Sequence, residues 1–141
     1  MVFEQSKRTV KHEFGDYIER GLQLALVTCI DFTASNGNPA SPGSLHYYTA
    51  TKKSVYEEAM SEVLDILMDY DYDKLVPCFG FGAQIFHPNF SSGGKVHHCF
   101  PLNCNKNNPD IFQKEAIMKS YRDIFQYIKF SGPTKFSELL R

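Results

Sequence analysis

The clearest apolar stretch in the first third of the chain is the run at residues 22–30, Leu-Gln-Leu-Ala-Leu-Val-Thr-Cys-Ile, which ends on Asp31. So few polar positions over this length predict a strand covered on both faces, as in parallel sheets. Ahead of it, Phe14, Tyr17, Ile18 and Leu22 have short helical spacing, and residues 1–13 are polar enough to form an arm or linker. Residues 36–43, Asn-Gly-Asn-Pro-Ala-Ser-Pro-Gly, are a dense cluster of turn formers and predict a loop. A helix follows over 55–69. Tyr56, Ala59, Met60, Val63, Leu64 and Leu67 fall on one stripe, while Glu57, Glu58, Ser61, Glu62, Asp65 and Asp69 fill the other face. Ser54-x-x-Glu57 supplies a capping box at its start.

Residues 75–81 predict a second strand, with Pro77 tolerated near its beginning. Gly80-Phe81-Gly82 is no dinucleotide fingerprint, because neither the third glycine nor a helix follows. These glycines predict a bulge or a close backbone approach. Residues 86–94 predict a loop, 95–101 a short edge strand ending at Pro101, and 103–108 a polar linker. Pro109 and Asp110 predict the start of another helix with Ala116, Ile117, Tyr121, Ile124 and Ile128 on its apolar side. Residues 131–134 predict a loop, and 134–141 a last helix carrying Phe136, Leu139 and Leu140. Helices alternating with strands place the chain in the α/β class.

Composition narrows the function. At 141 residues the chain holds one core, and its 43% hydrophobic and 22% charged residues with a net charge of −1 are those of a globular domain. No basic stripe appears: Lys7-Arg8 and Lys52-Lys53 are isolated pairs, which argues against nucleic-acid binding. No apolar stretch reaches spanning length and the first residues are not a secretory signal, so the default compartment is the cytosol. Cys29, Cys78, Cys99 and Cys104 are then expected as free thiols, with Cys29 and Cys78 buried and inert. His97-His98-Cys99 with Cys104 is a poor match to zinc-ligand spacing. Asp69-Tyr-Asp-Tyr-Asp-Lys74 lacks the glycine and late glutamate of a calcium loop.

Candidate chemistry gathers at Asp31-Phe32-Thr33-Ala34-Ser35. An acid at the carboxyl end of a buried strand lies where open α/β sheets bind ligands. Thr33 and Ser35 follow at alternate positions, so three oxygen-bearing side chains can turn toward one point. That set suits Mg2+ or Mn2+, which prefer oxygen ligands and work with one or two carboxylates. Neutral hydroxyls leave most of the ion's charge uncompensated, and an acidic side chain from a protein partner can complete the shell. Asn36, Gly37 and Asn38 lie beside this point and form a candidate recognition loop.

Taken in order, Asp31-Phe-Thr-Ala-Ser-Asn-Gly37, Ser44-Leu-His-Tyr47, Pro77-Cys-Phe-Gly-Phe-Gly-Ala83 and Gly132-Pro-Thr134 closely resemble the von Willebrand factor A-type (vWA) domain of copines. Phe14-Gly-Asp-Tyr-Ile18 fits the same resemblance, which covers nearly everything from Phe14 onward. It implies a Rossmann-like doubly wound fold, of which this chain supplies about the first three strands. It also implies a metal-ion-dependent adhesion-type site at Asp31, Thr33, Ser35 and Thr134, whose last acid belongs to a strand beyond Arg141. The strand at 22–30 is central in the complete fold and is expected here as an open edge, which invites self-association. Whole copines resemble calcium-dependent phospholipid-binding proteins through C2 domains, so membrane recruitment belongs to such a parent and not to this chain. Two alternatives share parts of the pattern. Ubiquitin ligases with a RING domain carry a similar vWA domain, betrayed by Cys-x2-Cys pairs that do not occur here. Phosphotransferases of the haloacid dehalogenase type need a second acid at position 33, which is Thr in this chain.

Overall fold

A computed structural model of the chain describes residues 11–140, so the arm expected at 1–13 lies almost wholly outside the described residues. In chain order the elements are α1 (Phe14–Glu19), β1 (Thr28–Asp31), α2 (Val55–Leu67), β2 (Leu75–Phe81), β3 (Ala83–His87), β4 (Phe90–His97), β5 (Phe100–Pro101), β6 (Asp110–Phe112), α3 (Gln113–Asp123) and β7 (Ile128–Phe130), with single 3-10 turns after β1, α2 and α3. β1 and β2 pair in parallel, with Asp31 opposite Phe81. The far edge of β2 is shared end to end by two antiparallel strands, β6 against Leu75–Pro77 and β5 against Phe79 and Gly80. A second sheet has β3 between β4 and β7, all antiparallel. This is a mixed α/β fold.

One core fills the space between these layers. Ile30, Phe32, Val76, Cys78, Phe100 and Ile111 come from the first sheet and its ends, Met60 and Leu64 from α2, Ile117 and Tyr121 from α3, and Ala83 and Ile85 from the second sheet. The capping box at the start of α2 is present: Ser54 Oγ accepts from the Glu57 N–H, and Glu57 Oε2 accepts from the Ser54 N–H at 2.8 Å. The buried face of α2 is Glu57, Met60, Ser61 and Leu64, so Ala59 and Val63 of the expected stripe are exposed and Glu57 of the expected solvent face is inside. Glu57 is buried because two donors meet its carboxylate there, the Ser54 N–H of the cap and Arg122 Nε.

Several expected elements differ. The strand at 22–30 shrinks to Thr28–Asp31, because only these four residues find register on β2. Its two-faced burial does not hold either: Ile30 is buried while Cys29 is exposed. The loop expected at 86–94 is mostly strand: Phe86 and His87 end β3, residues 88–89 make the hairpin turn, and β4 runs from Phe90 with Gly93 and Gly94 at positive φ. The edge strand expected at 95–101 divides between the end of β4 and the short β5. The helix expected from Pro109 begins only at Gln113, since Ile111 is buried in the sheet and the Gln113 N–H donates to Lys74 O before the chain turns. Ile128, expected on that helix, belongs to β7. Residues 134–140 form a turn and not a helix, with Phe136 packed on Phe81 at 5.1 Å between ring centres.

Candidate functional site

Phe32 fixes the site in place. It is fully buried at the end of β1, with His46, Phe100, Tyr121, Phe125 and Phe130 around its ring at centroid distances of 5.4 to 6.3 Å. With that residue pinned, its neighbours Asp31 and Thr33 are held at the sheet's carboxyl end. Gly82 closes the approach from below: its φ is +79°, and a Cβ there would stand 2.3 Å from Thr33 Cγ2. Gly80 plays the same part for the aromatic core, since a Cβ would meet Phe100 and Phe32 at 2.6 and 2.7 Å. The close backbone approach expected of this glycine pair is thus present.

Of the four residues expected at the metal site, Ser35 and Thr134 bring their hydroxyls to that of Thr33, and Asp31 meets the Thr33 backbone. Asp31 Oδ1 accepts from the Thr33 N–H at 2.7 Å, which shapes the turn. Thr33 Oγ1 lies 3.0 Å from Ser35 Oγ and 3.4 Å from Thr134 Oγ1, although Thr134 is 101 residues away in sequence. The loop carrying Thr134 is held there by a parallel bridge between Thr33 and Ser131, with the Ala34 N–H donating to Ser131 O at 2.6 Å. A shallow groove lined by Thr33, Ala34, Ser35 and residues 130–134 opens at this point.

This donor set fits a hard divalent ion. Adjacent corners of an octahedron with bonds of about 2.1 Å are about 3.0 Å apart, and the Thr33 and Ser35 oxygens have that separation. The residues that would hold the ion are Asp31, Thr33, Ser35 and Thr134, all oxygen donors. Among the described residues no group of three or more His, Cys, Asp or Glu comes together, so a site of that other composition has no counterpart here. Cys78 and Cys104 are buried thiols, pushed up to about 12 and about 11 by burial, which suits inert packing rather than ligation.

Behind the loop stands a hydrogen-bonded chain that sequence reading does not reveal. His46, fully buried, has Nε2 2.8 Å from Asp31 O and Nδ1 2.8 Å from Tyr121 Oη. A carbonyl only accepts, so Nε2 carries the proton and Nδ1 accepts from Tyr121. Tyr121 then accepts from Ser54 Oγ at 3.1 Å, Ser54 accepts from the Glu57 N–H, and the Glu57 carboxylate accepts from Arg122 Nε. The directions at His46, Tyr121 and Ser54 follow from the one carbonyl, and the Glu57 N–H and Arg122 can only donate. Burial lowers His46 to a pKa of about 4, with the Asp31 carbonyl and carboxylate pulling weakly the other way. Burial likewise raises the Tyr121 phenol. Tyr56 stacks on the His46 ring at 4.1 Å and donates to Asn36 Oδ1. The signal in the sequence was the Ser44-Leu-His-Tyr47 motif, but nothing in it assigns His46 to the Asp31 carbonyl.

Asn36 is placed inside. Its amide donates to the Asp31 and Thr33 carbonyls, and Ser44 Oγ donates to Asn36 O. It braces the turn, while Gly37 and Asn38 line a second groove beside the first. His97, His98 and Cys99 stand at the end of β4 and the link to β5, with His97 O accepting from the Gly82 N–H at 2.8 Å.

The mixed α/β fold with its parallel β1–β2 pair is that of a partial vWA-like domain. The copine family model matches residues 44–141, more than two thirds of the chain, and the chain belongs to the copine family. Thr134 and the Ser44–His46 brace fall within the matched residues, whereas Asp31, Thr33 and Ser35 precede them. Among the described residues no helix is long and apolar enough to cross a membrane.

Proposed function

We propose that this chain is a protein-binding module that works through a metal-ion-dependent adhesion-type site at Asp31, Thr33, Ser35 and Thr134. The observation that carries the reading is the convergence of the Thr33, Ser35 and Thr134 hydroxyls beside a carboxylate at the end of the parallel strand pair. A set with one formal negative charge leaves a bound Mg2+ or Mn2+ electron-poor, so an acidic side chain of a protein partner is the natural completing ligand. The module is a binding device and not an enzyme: its one carboxylate has no second acid at position 33 to exchange a proton with. A parent with C2 domains would bring calcium-dependent phospholipid binding, and so membrane recruitment from the cytoplasm, from outside this segment. The copine reading is preferred to that of a RING-type ubiquitin ligase because Ser44 and His46 of the copine-like motif brace the site directly.

Calorimetric titration of Mg2+ into the chain and into Asp31→Ala tests the reading. Loss of the only carboxylate is expected to weaken binding by at least about 100-fold, more than is typical for residues that merely support ligands, with the circular dichroism spectrum unchanged. Equal affinities in the two proteins would remove the assignment.

A further inference from the structure

β7 runs along the outside of the second sheet. Its ladder with β3 pairs Gln84 with Lys129, and the flanking bonds Phe86 N–H to Tyr127 O and Ser131 N–H to Gly82 O set the phase. Residues 127 and 129 therefore point their backbone groups at β3, the Ser131 N–H reaches Gly82 while its carbonyl turns to the Ala34 N–H, and Ile128 and Phe130 point theirs away from β3. Among the described residues nothing pairs with that outer edge. It faces the groove formed with the loop after β1, lined by Ala34, Gly37, Asn38, Pro39, Ile128, Lys129 and Phe130. Ala34 and Phe130 also line the groove at the metal-site hydroxyls, so the two run into each other.

We infer that an extended segment of a protein partner adds as a strand to β7 and carries its acidic side chain from there toward Thr33, Ser35 and Thr134. Main-chain hydrogen bonds to Ile128 and Phe130 supply affinity that is independent of side chains, as in other strand-addition complexes. Charge selects the occupant. Lys129 is exposed and is the only charged residue lining the groove. Two copies of β7 paired with each other would bring two Lys129 cations together, an arrangement that guards sheet edges against self-pairing. An acidic segment meets no such cost. The inference rests on the proposed adhesion-type site for the destination of the carboxylate and adds the form and direction in which the partner arrives.

The test uses the 15N-labelled chain with Mg2+ and the hexapeptide acetyl-Thr-Val-Asp-Val-Thr-Val-amide as probe. The amides of Ile128 and Phe130 are expected to exchange rapidly in the free chain, then to move downfield and exchange at least about tenfold more slowly with peptide. Methylating alternate peptide nitrogens should abolish these shifts in one phase and spare them in the other, since only one phase faces β7. Replacing the peptide's Asp by Lys should weaken binding at least about tenfold. Shifts confined to Thr33, Ser35 and Thr134 would overturn strand addition and leave the adhesion-type site standing. Shifts at Ile128 and Phe130 that ignore methylation in both phases would also overturn it. No shift at any of these residues would overturn both readings.

Discussion

Replacing His46 by Phe keeps a ring of similar size between Tyr56 and Phe32 and removes both ring nitrogens. Two consequences can be worked out. Tyr121 loses the acceptor for its proton in a fully buried position, and a stranded buried donor costs about 1–3 kcal/mol. Asp31 O loses its His46 donor but keeps the Asn36 amide at 3.2 Å, so that end is partly compensated. The second consequence is a pH dependence. His46 is lowered from 6.5 to about 4 in the folded chain, so the unfolded chain takes up this proton first as pH falls. His46 therefore contributes its full stability above pH 6.5 and loses it progressively as pH drops toward 4. At about 1.4 kcal/mol per unit of pKa difference, the loss across that window is about 3 kcal/mol. Urea unfolding of both proteins at a series of pH values measures it. The wild-type minus His46→Phe difference should shrink, and then change sign, as pH falls from 6.5 to 4. Parallel stability curves across that window would refute a neutral, doubly bonded His46.

Further outcomes follow from the same geometry. Gly82→Ala should destabilise the chain by at least about 1–2 kcal/mol from its left-handed backbone alone, with the Thr33 clash added, and a cost below about 0.5 kcal/mol would contradict the close approach. Glu57→Gln weakens the charge-assisted bond to Arg122 at a site where the carboxylate is buried; unfolding free energy should fall by about 1–3 kcal/mol, and an unchanged value would remove Glu57 from the network. Analytical ultracentrifugation should show reversible self-association, because the outer edge of β1 offers the Cys29 backbone groups unpaired among the described residues. Cys29→Lys should weaken that association, and a monomer at every concentration would sink the idea.

What the sequence made legible follows from local rules, and what it hid depends on contacts between distant residues. Ser54 and Glu57 announced the start of α2 because a capping box is complete within four residues. Asp31, Thr33 and Ser35 were visible because alternation along a strand end is local, and Gly80 and Gly82 because a missing Cβ marks close approach. Thr134 came only with the family resemblance, since no local rule links it to Thr33. The hairpin of β3 and β4 was read as a loop because Ser, Gly and Asn have weak strand preference, and pairing with a neighbour decides their state. Ile128 fits a helical stripe in sequence, and Ile111 follows the expected helix start at Pro109, yet both belong to strands, because each finds a sheet edge beside it. Glu57 looked like a solvated acid until Arg122, 65 residues away, turned it inward. His46 could not be assigned from its neighbours at all, because its partners are a backbone oxygen and Tyr121.

The most direct test of the central claim is addition of Mn2+ to the 15N-labelled chain, followed through paramagnetic broadening of assigned amide signals. The account predicts that Thr33, Ser35 and Thr134 broaden first and together, and that Mg2+ in excess restores them. Broadening that begins elsewhere, for example at the acidic run Asp69, Asp71 and Asp73, with these three signals intact, would contradict it.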